Sequence, residues 1–534
     1  MSRHNKKNSK KKARVKSDNK FHAISGQIAI RWEPVILAAG FFIIMTIVSF
    51  SYHKIGDYGV ETDFYWSYVP EARSFLNGSV YISPFRGPVY PVALAAASLI
   101  IQDIFHAGIL LAILSASLVL YFSYRIFMTL YDRRMALWGT MLIMVNPVFI
   151  QYSYSAGTDM FFNALVTGVL YLYAGFRKSI PFVILTAFIS AVAYLTRYNG
   201  VFLVLVIPFC LLILNHDRLE TKKRILLSLL FLAVFALTIL PWGLYCLQEK
   251  GQFLYNNNYR NIAYELYGKG KISWDAFWSQ QQSGVNSFGD VILKDPGLFI
   301  RNVAANTGIH FFQDMKQLMG LQTGIFVIAG IISLFFSRPD RKKWTLFVFH
   351  IAFFSVLLVV FYSNRFSLFL IMVYVLLALT PLLDKNNVVY QKFRFSGLTL
   401  LIPVVLVLWT GIRSYAFNSR TIQSGPREIL TISEWYQKNV PDEEKGDIVS
   451  ARKPHIAYYM DLTFQRIPYV GSVNEMIRSL RKDSVDYLFF SGIEASTRPD
   501  MRHLLNPKQA PPDLIPLVYT RRPPAVLYRL REQD

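Results

Sequence analysis

The chain has 534 residues, 53% hydrophobic, 15% aromatic and only 17% charged, with a mean hydropathy of +0.31. That is too apolar for an ordinary soluble chain, and several runs approach the ~20 apolar residues that span a bilayer. A net charge of +22 would suit a nucleic-acid binder, but the basic residues fall mostly in the N-terminal tail and in short links between apolar runs. That distribution orients a polytopic membrane protein, so nucleic acid is not an expected partner.

Residues 1–32 form a basic tail, with lysines and arginines from Arg3 to Lys20 and no apolar region or small-residue cleavage site. It reads as a disordered cytoplasmic tail drawn to anionic headgroups, the first span serving as anchor. Apolar runs then follow at about 34–52, 105–127, 136–154, 160–176, 180–196, 199–214, 225–247, 320–336, 344–362, 366–383 and 396–412. A shorter run, Pro88 to Ile101, opens with two prolines. If it does not span, the basic links Asp132–Arg134, Arg177–Lys178, His216–Arg224, Ser337–Lys343 and Asp384–Arg394 all share the side of the tail; if it spans, all are flipped. It is therefore expected to be a juxtamembrane or re-entrant helix, leaving about eleven spans.

This topology puts the N-terminus inside the cytoplasmic (inner) membrane. Outside lie the first outer loop (54–104), Ser155–Asp159, Arg197–Asn199, a long loop (249–318), Ser363–Arg365 and everything after Arg413. The membrane domain is expected to cover 33–413. Residues 414–534 have the composition of a soluble unit, with strand-like runs at 448–451, 486–490, 514–519 and 525–530 and helix-like segments near 426–438 and 473–482, a small α/β domain. Cys210 and Cys246 lie in apolar segments as core residues, and no zinc motif or Gly-rich phosphate loop is present.

The unusual stretch is Asp57–Pro91, which places Glu61, Asp63, Glu71, Arg73 and Arg86 among tyrosines and tryptophans beside two apolar segments. Charges so near a bilayer are costly, which marks the stretch as a candidate site. In an extended loop Glu61 and Asp63 would point the same way and address one site; a solvated acidic loop is the plainer reading. Arg86-Gly87-Pro88 fixes a helix start with a guanidinium near the interface, able to grip a phosphate or simply to snorkel. Asp159 precedes an apolar run, as a helix cap or as a functional acid. Arg197 and Arg365 are outer-face cations, against the general bias. In the long loop Tyr255, Tyr259, Arg260, Tyr264, Glu265, Tyr267, His310 and Asp314 are candidates to line a groove, an interfacial aromatic belt being the alternative for the tyrosines.

Four features occur in order: Asp63 in the first outer loop, Arg86-Gly87-Pro88-Val89-Tyr90-Pro91, Tyr131-Asp132-Arg133-Arg134, and Asn146-Pro147 followed by Asp159. Together they resemble the polytopic glycosyltransferases of the C-type (GT-C) fold, particularly bacterial relatives of protein O-mannosyltransferases and lipid A aminoarabinose transferases. The ending YTRRPPAVLYRL is similar to that of bacterial members. The resemblance implies transfer of a sugar from a polyprenyl-phosphate carrier to a lipid, glycan or protein acceptor outside the membrane. On that reading Arg86, Arg197 and Arg365 hold the donor phosphate, and Asp63 is the base of an inverting displacement. Asp159 would orient the acceptor or Asp63, or share a divalent metal ion with Asp63 if one binds. Phe85 stands where some relatives carry a glutamate, which counts against a metal. The competing classes are a secondary transporter, disfavoured because the charges sit at span ends and no repeat is evident, and a non-catalytic envelope-assembly scaffold.

Overall fold

The computed structural model describes residues 32–175, 178–214, 217–272, 274, 277, 285–337, 341–394 and 396–531. The basic tail before Trp32 lies outside them, as do Arg177, His216 and residues 338–340 of the basic links.

Each of the apolar runs forms a helix over most of its described length, the run 344–362 leaving it after Leu357. Among the described residues, five helices are long and apolar enough to cross a membrane: Trp32–Tyr52, Ile104–Leu130, Thr221–Lys250, Leu368–Phe393 and Leu398–Asn439. A sixth span is possible by length if Arg133–Met144 and Pro147–Tyr154, bent by 63° at their junction, count as one. The bend has a local cause. Pro147 lacks an N–H and forces Asn146 out of the helix, whose Oδ1 then accepts from Val148 and Phe149 N while its Nδ2 donates to Leu318 O. The remaining runs form Thr158–Gly175, Ile180–Thr196, Tyr198–Leu214, Leu321–Phe335 and Arg341–Leu357. The chain is a multi-pass membrane protein, although fewer helices reach span length alone than the sequence led us to expect. The 88–101 run gives Val89–Ser98, too short to cross by itself.

At one end of the bundle the basic links meet: Lys343 Nζ lies 2.7 Å from Asp384 Oδ2 and over the Tyr131 ring, and Lys385 Nζ is 3.2 Å from Asp132 Oδ2. Close to them Arg133 pairs with Glu33.

The C-terminal part is a five-stranded mixed sheet of order β2-β1-β3-β5-β4, with β1 at Ile448–Ala451, β2 at Thr463–Arg466, β3 at Tyr487–Ser491, β4 at Leu514–Arg521 and β5 at Pro524–Leu530. The strands β2, β1 and β3 run parallel, β3-β5 and β5-β4 antiparallel. Four strands fall where the sequence placed them; β2, a short polar edge strand, was not anticipated. The helix Leu398–Gln423 runs past Arg413, where the soluble composition begins.

The helix Arg427–Asn439 and the segment that follows β1 sit against the loop 54–104. Tyr58 OH donates to Glu428 Oε1 at 2.9 Å, Lys453 Nζ to Thr62 Oγ1 at 3.1 Å, and His455 Nε2 to Asp57 O at 3.2 Å. Burial pushes the His455 imidazolium down to about 3, so the ring is neutral when it makes this bond.

Candidate active site

The first outer loop is held from beneath by Glu61. Its carboxylate is fully buried and accepts from His53 Nε2 (2.9 Å), Asp57 N (3.1 Å) and Ala156 N (2.7 Å). Those bonds join the end of the first helix to the turn before Asp159. Glu61 therefore does not share a site with Asp63, contrary to the expectation from an extended loop. Residues 62–68 are helical, and in a helix residues two apart point to different sides. Asp63 instead turns toward the opening, its side chain 42% exposed.

Arg86, Arg197 and Arg365 come from three distant segments and converge on Asp63 and Asp159. Arg365 Nη2 donates to Asp63 Oδ2 at 3.1 Å, and its Nε lies 3.4 Å from Asp159 Oδ1. Arg197 Nη1 donates to the same Asp159 oxygen and reaches Thr158 Oγ1 at 3.4 Å. Thr158 in turn is 2.9 Å from Tyr68 OH, and the Arg86 guanidinium stacks 4.2 Å from the Tyr68 ring centroid. A ring carries its negative quadrupole on its face, so this stacking holds the cation without consuming its donors. Arg86 Nη1 is buried and has no hydrogen-bond partner among the described residues.

Two glycines allow this convergence. A Cβ on Gly87 would lie 2.2 Å from Leu195 O, so the Arg86 turn can press on the end of Ile180–Thr196, next to Arg197, only without a side chain. Gly200 meets the Tyr194 backbone at 2.9 Å in the same way. Arg197 itself ends the helix in an extended conformation, φ −146°.

The electrostatics follow from this crowding. Desolvation alone would raise Asp63, but Arg365, Arg86 and Arg197 hold its carboxyl down to about 2. Burial works against the Arg365 charge, and Asp159 and Asp63 more than offset it. Three guanidiniums face the two aspartates, and Glu71 acts on Arg86 as a third carboxylate. Asp159, Asn163, Arg197, Asn199, Arg365 and Phe366 are among the residues lining a small recess beside the cluster. Behind Arg86 lies Glu71, 2% exposed; burial raises its carboxyl while Arg86 and the Ser67 and Ser83 hydroxyls favour its charged form.

The long-loop candidates divide. Asn257 N donates to Pro84 O at 2.6 Å, Asn258 Nδ2 to Phe85 O at 2.8 Å, and Tyr198 OH to Tyr255 O at 3.4 Å. The stretch with Tyr255, Tyr259 and Arg260 thus braces the Arg86 turn. Tyr264 and Tyr267 pack within the loop, Tyr267 OH bonding Val291 O at 2.8 Å, and Glu265 pairs with Lys269. His310 is buried against Tyr362, with ring centroids 5.4 Å apart. Sequence reasoning gave Tyr68, Tyr152, Asn163 and Asn199 no role. The only available signal was that Tyr68 falls in the charged stretch and Asn199 beside Arg197.

Among the described residues no three His, Cys, Asp or Glu side chains converge, and Arg365 occupies the place between Asp63 and Asp159 that a shared divalent ion would take, so such an ion would have to displace it.

Residues 85–242 match the family model described as dolichyl-phosphate-mannose-protein mannosyltransferase. No curated protein sequence matches the chain. Among solved structures, ArnT from Cupriavidus metallidurans in the apo state is similar with a TM-score of 0.58 at 13% identity, covering 94% of this chain and 98% of ArnT. The same protein bound to undecaprenyl phosphate gives 0.56 at 13%, covering 93% and 97%. The oligosaccharyltransferase AglB from Archaeoglobus fulgidus, with an inhibitory peptide and a dolichol-phosphate, gives 0.54 at 14%, covering 86% and 70%. Another structure of that archaeal enzyme holds Zn and sulfate. The chain therefore has the GT-C fold over nearly its whole length, and the family match begins at the Arg86 turn.

Proposed function

We propose that this GT-C-fold membrane protein is a glycosyltransferase that moves a sugar from a polyprenyl-phosphate carrier to an acceptor on the extracytoplasmic face of the cytoplasmic membrane. One observation carries the reading: Arg365 bridges Asp63 and Asp159 while Arg197 and Arg86 stand beside them. ArnT in complex with undecaprenyl phosphate and AglB with dolichol-phosphate support the choice of carrier. The placement of the site outside rests on the basic links gathered at one end of the bundle, which the positive-inside rule assigns to the cytoplasm.

The chemistry asks little of the protein at the leaving group. A sugar on a phosphate departs as a phosphate monoester, and cations that hold the forming charge lower the barrier. Arg86 and Arg365 offer guanidinium donors for it, with Arg197 anchoring Asp159. Asp63 takes the acceptor's proton as the new bond to the anomeric carbon forms from the face opposite the leaving oxygen, inverting the centre. A carboxyl held near 2 is a weak base in the empty site. An arriving phosphate competes with Asp63 for Arg365, which frees the carboxylate and raises its basicity where the acceptor hydroxyl lies. No step needs a metal.

Mass spectrometry of envelope lipids and glycans tests this in cells carrying the wild type, Asp63→Asn or a deletion. Accumulation of a polyprenyl-phosphate sugar with loss of one sugar from a glycoconjugate in both defective strains is expected, and the missing mass names the acceptor class. A wild-type profile in the Asp63→Asn strain overturns Asp63 as the base.

A further inference from the structure

The helix Pro296–Gln313 ends the long loop. Its Ile309 and Phe312 are 50% and 59% exposed, yet Asn306, His310 and Asp314, spaced four apart and so on one face, are buried. A buried polar stripe must find partners. These lie in the segment 358–367, which carries Arg365. Asn306 Nδ2 donates to Leu358 O at 2.8 Å and Val360 O at 3.5 Å. His310 interacts with the Val360 backbone and packs edge-on to Tyr362. Asp314 faces the Ser367 and Tyr362 hydroxyls and accepts from Tyr374 OH at 2.9 Å. The helix also changes character at this point: Asp314 opens a π turn, Asp314–Leu318, a local widening that recurs at functional sites.

We propose that Asp314 is a positioning residue for Arg365: with Asn306 and His310 it clamps 358–367, and thereby sets where the guanidinium sits between Asp63 and Asp159. Successive turns in that segment, Phe366 N to Ser363 O (3.0 Å) and Ser367 N to Asn364 O (3.2 Å), transmit the restraint from Ser367 to Arg365. The long outer loop is in this way coupled to the cation cluster from two sides, through Asn257 and Asn258 at Arg86 and through Asp314 at Arg365.

Asp314 Oδ1 and Tyr362 OH are both buried without a hydrogen-bond partner among the described residues. Burial drives the carboxyl up to about 7 against the opposing effect of Ser367, Tyr374 and Tyr362. The titratable groups around it are Tyr374 on one side, Tyr362 with Tyr152 beyond it on another, and His310 one turn back with Lys269 acting on it. A raised acid stabilises the folded segment while protonated. That contribution is full below about pH 4, the unfolded value, and fades as pH rises through about 7.

Backbone amide exchange of 358–367 in the full-length protein tests the clamp without any ligand. Asp314→Ala should raise exchange there about tenfold, while Asp314→Asn, whose amide oxygen still accepts from Tyr374, should stay near wild type. Wild-type protection of the segment should fall between about pH 4 and 7 after correction for intrinsic rates and level off above that, and Asp314→Asn should be flat. Unchanged exchange in Asp314→Ala, or a loss spread evenly over the protein, overturns the proposal. The proposal rests on the transferase reading only for its link to the donor, which binding of undecaprenyl phosphate checks. Asp314→Ala should weaken binding about tenfold in the wild type and not at all in an Arg365→Ala background; additive losses overturn it. If undecaprenyl phosphate binds neither wild type nor variants, the donor reading fails, and the exchange result still decides the clamp.

Discussion

The two ends of the helical bundle both carry buried charge, and they use it in opposite ways. At the end with Tyr131, lysine and aspartate are matched one to one: Lys343 with Asp384 and Lys385 with Asp132. At the other end three arginines share two aspartates, one guanidinium spans both carboxylates, and Arg86 keeps a buried donor unspent. Matched pairs complete a structure. A buried donor left without a hydrogen-bond partner is costly, and an arriving anion satisfies it. The first end is built to be finished, the second to be finished by a ligand.

Breaking the unmatched end should abolish activity with little effect on folding. Asp63→Asn removes the proposed base and leaves a near-isosteric group against Arg365; a fall in transfer of about 10³-fold is expected, within the range for a lost general base, with thermal stability retained. Transfer of the lipid-linked sugar by purified protein measures it. Arg365→Lys keeps the charge but not the fork that reaches Asp63 and Asp159 at once, so a loss of about 10²-fold is expected in spite of the conserved charge. A lysine variant with wild-type kcat would show that charge alone suffices. Gly87→Ala is expected to act more gently: its Cβ must push away the Leu195 carbonyl, 2.2 Å off, displacing Arg86 from Arg197. A rise of about tenfold in the KM for the donor with a smaller change in kcat is the expected result.

How much of this the sequence could tell follows from the range of the interactions. The helices were legible because apolar runs of span length have few other stable states in a bilayer. Arg86, Arg197, Arg365, Asp63 and Asp159 stood out in the sequence as charges beside apolar runs, one residue at a time. Their arrangement did not, because Asp63 and Arg365 are 302 positions apart and no local pattern relates them. Glu61 misled for a local reason: the spacing from Asp63 indicates one site only in extended backbone, and the loop is helical there. β2 was missed because four residues, TFQR, offer no apolar alternation to read. The stripe Asn306–His310–Asp314 shows the limit most clearly. Its spacing was visible, but which segment it would hold depended on the tertiary fold.

The matched end supplies the smallest expected effect on activity and the strictest control. Lys343 and Asp384 are 7% and 13% exposed, so removing the carboxylate takes a close partner from a nearly buried charge, a cost of up to about 3 kcal/mol. Asp384→Asn should therefore lower the unfolding midpoint in detergent while transfer per folded molecule stays at the wild-type level. Lys343 keeps its place over the Tyr131 ring, which limits the damage. A double variant Lys343→Met/Asp384→Asn should recover part of the stability, because it leaves no charge to be desolvated at that place. A loss of transfer per folded molecule in either variant would mean that the two ends are energetically coupled through the bundle. The division between a finished end and a ligand-completed end would then fail.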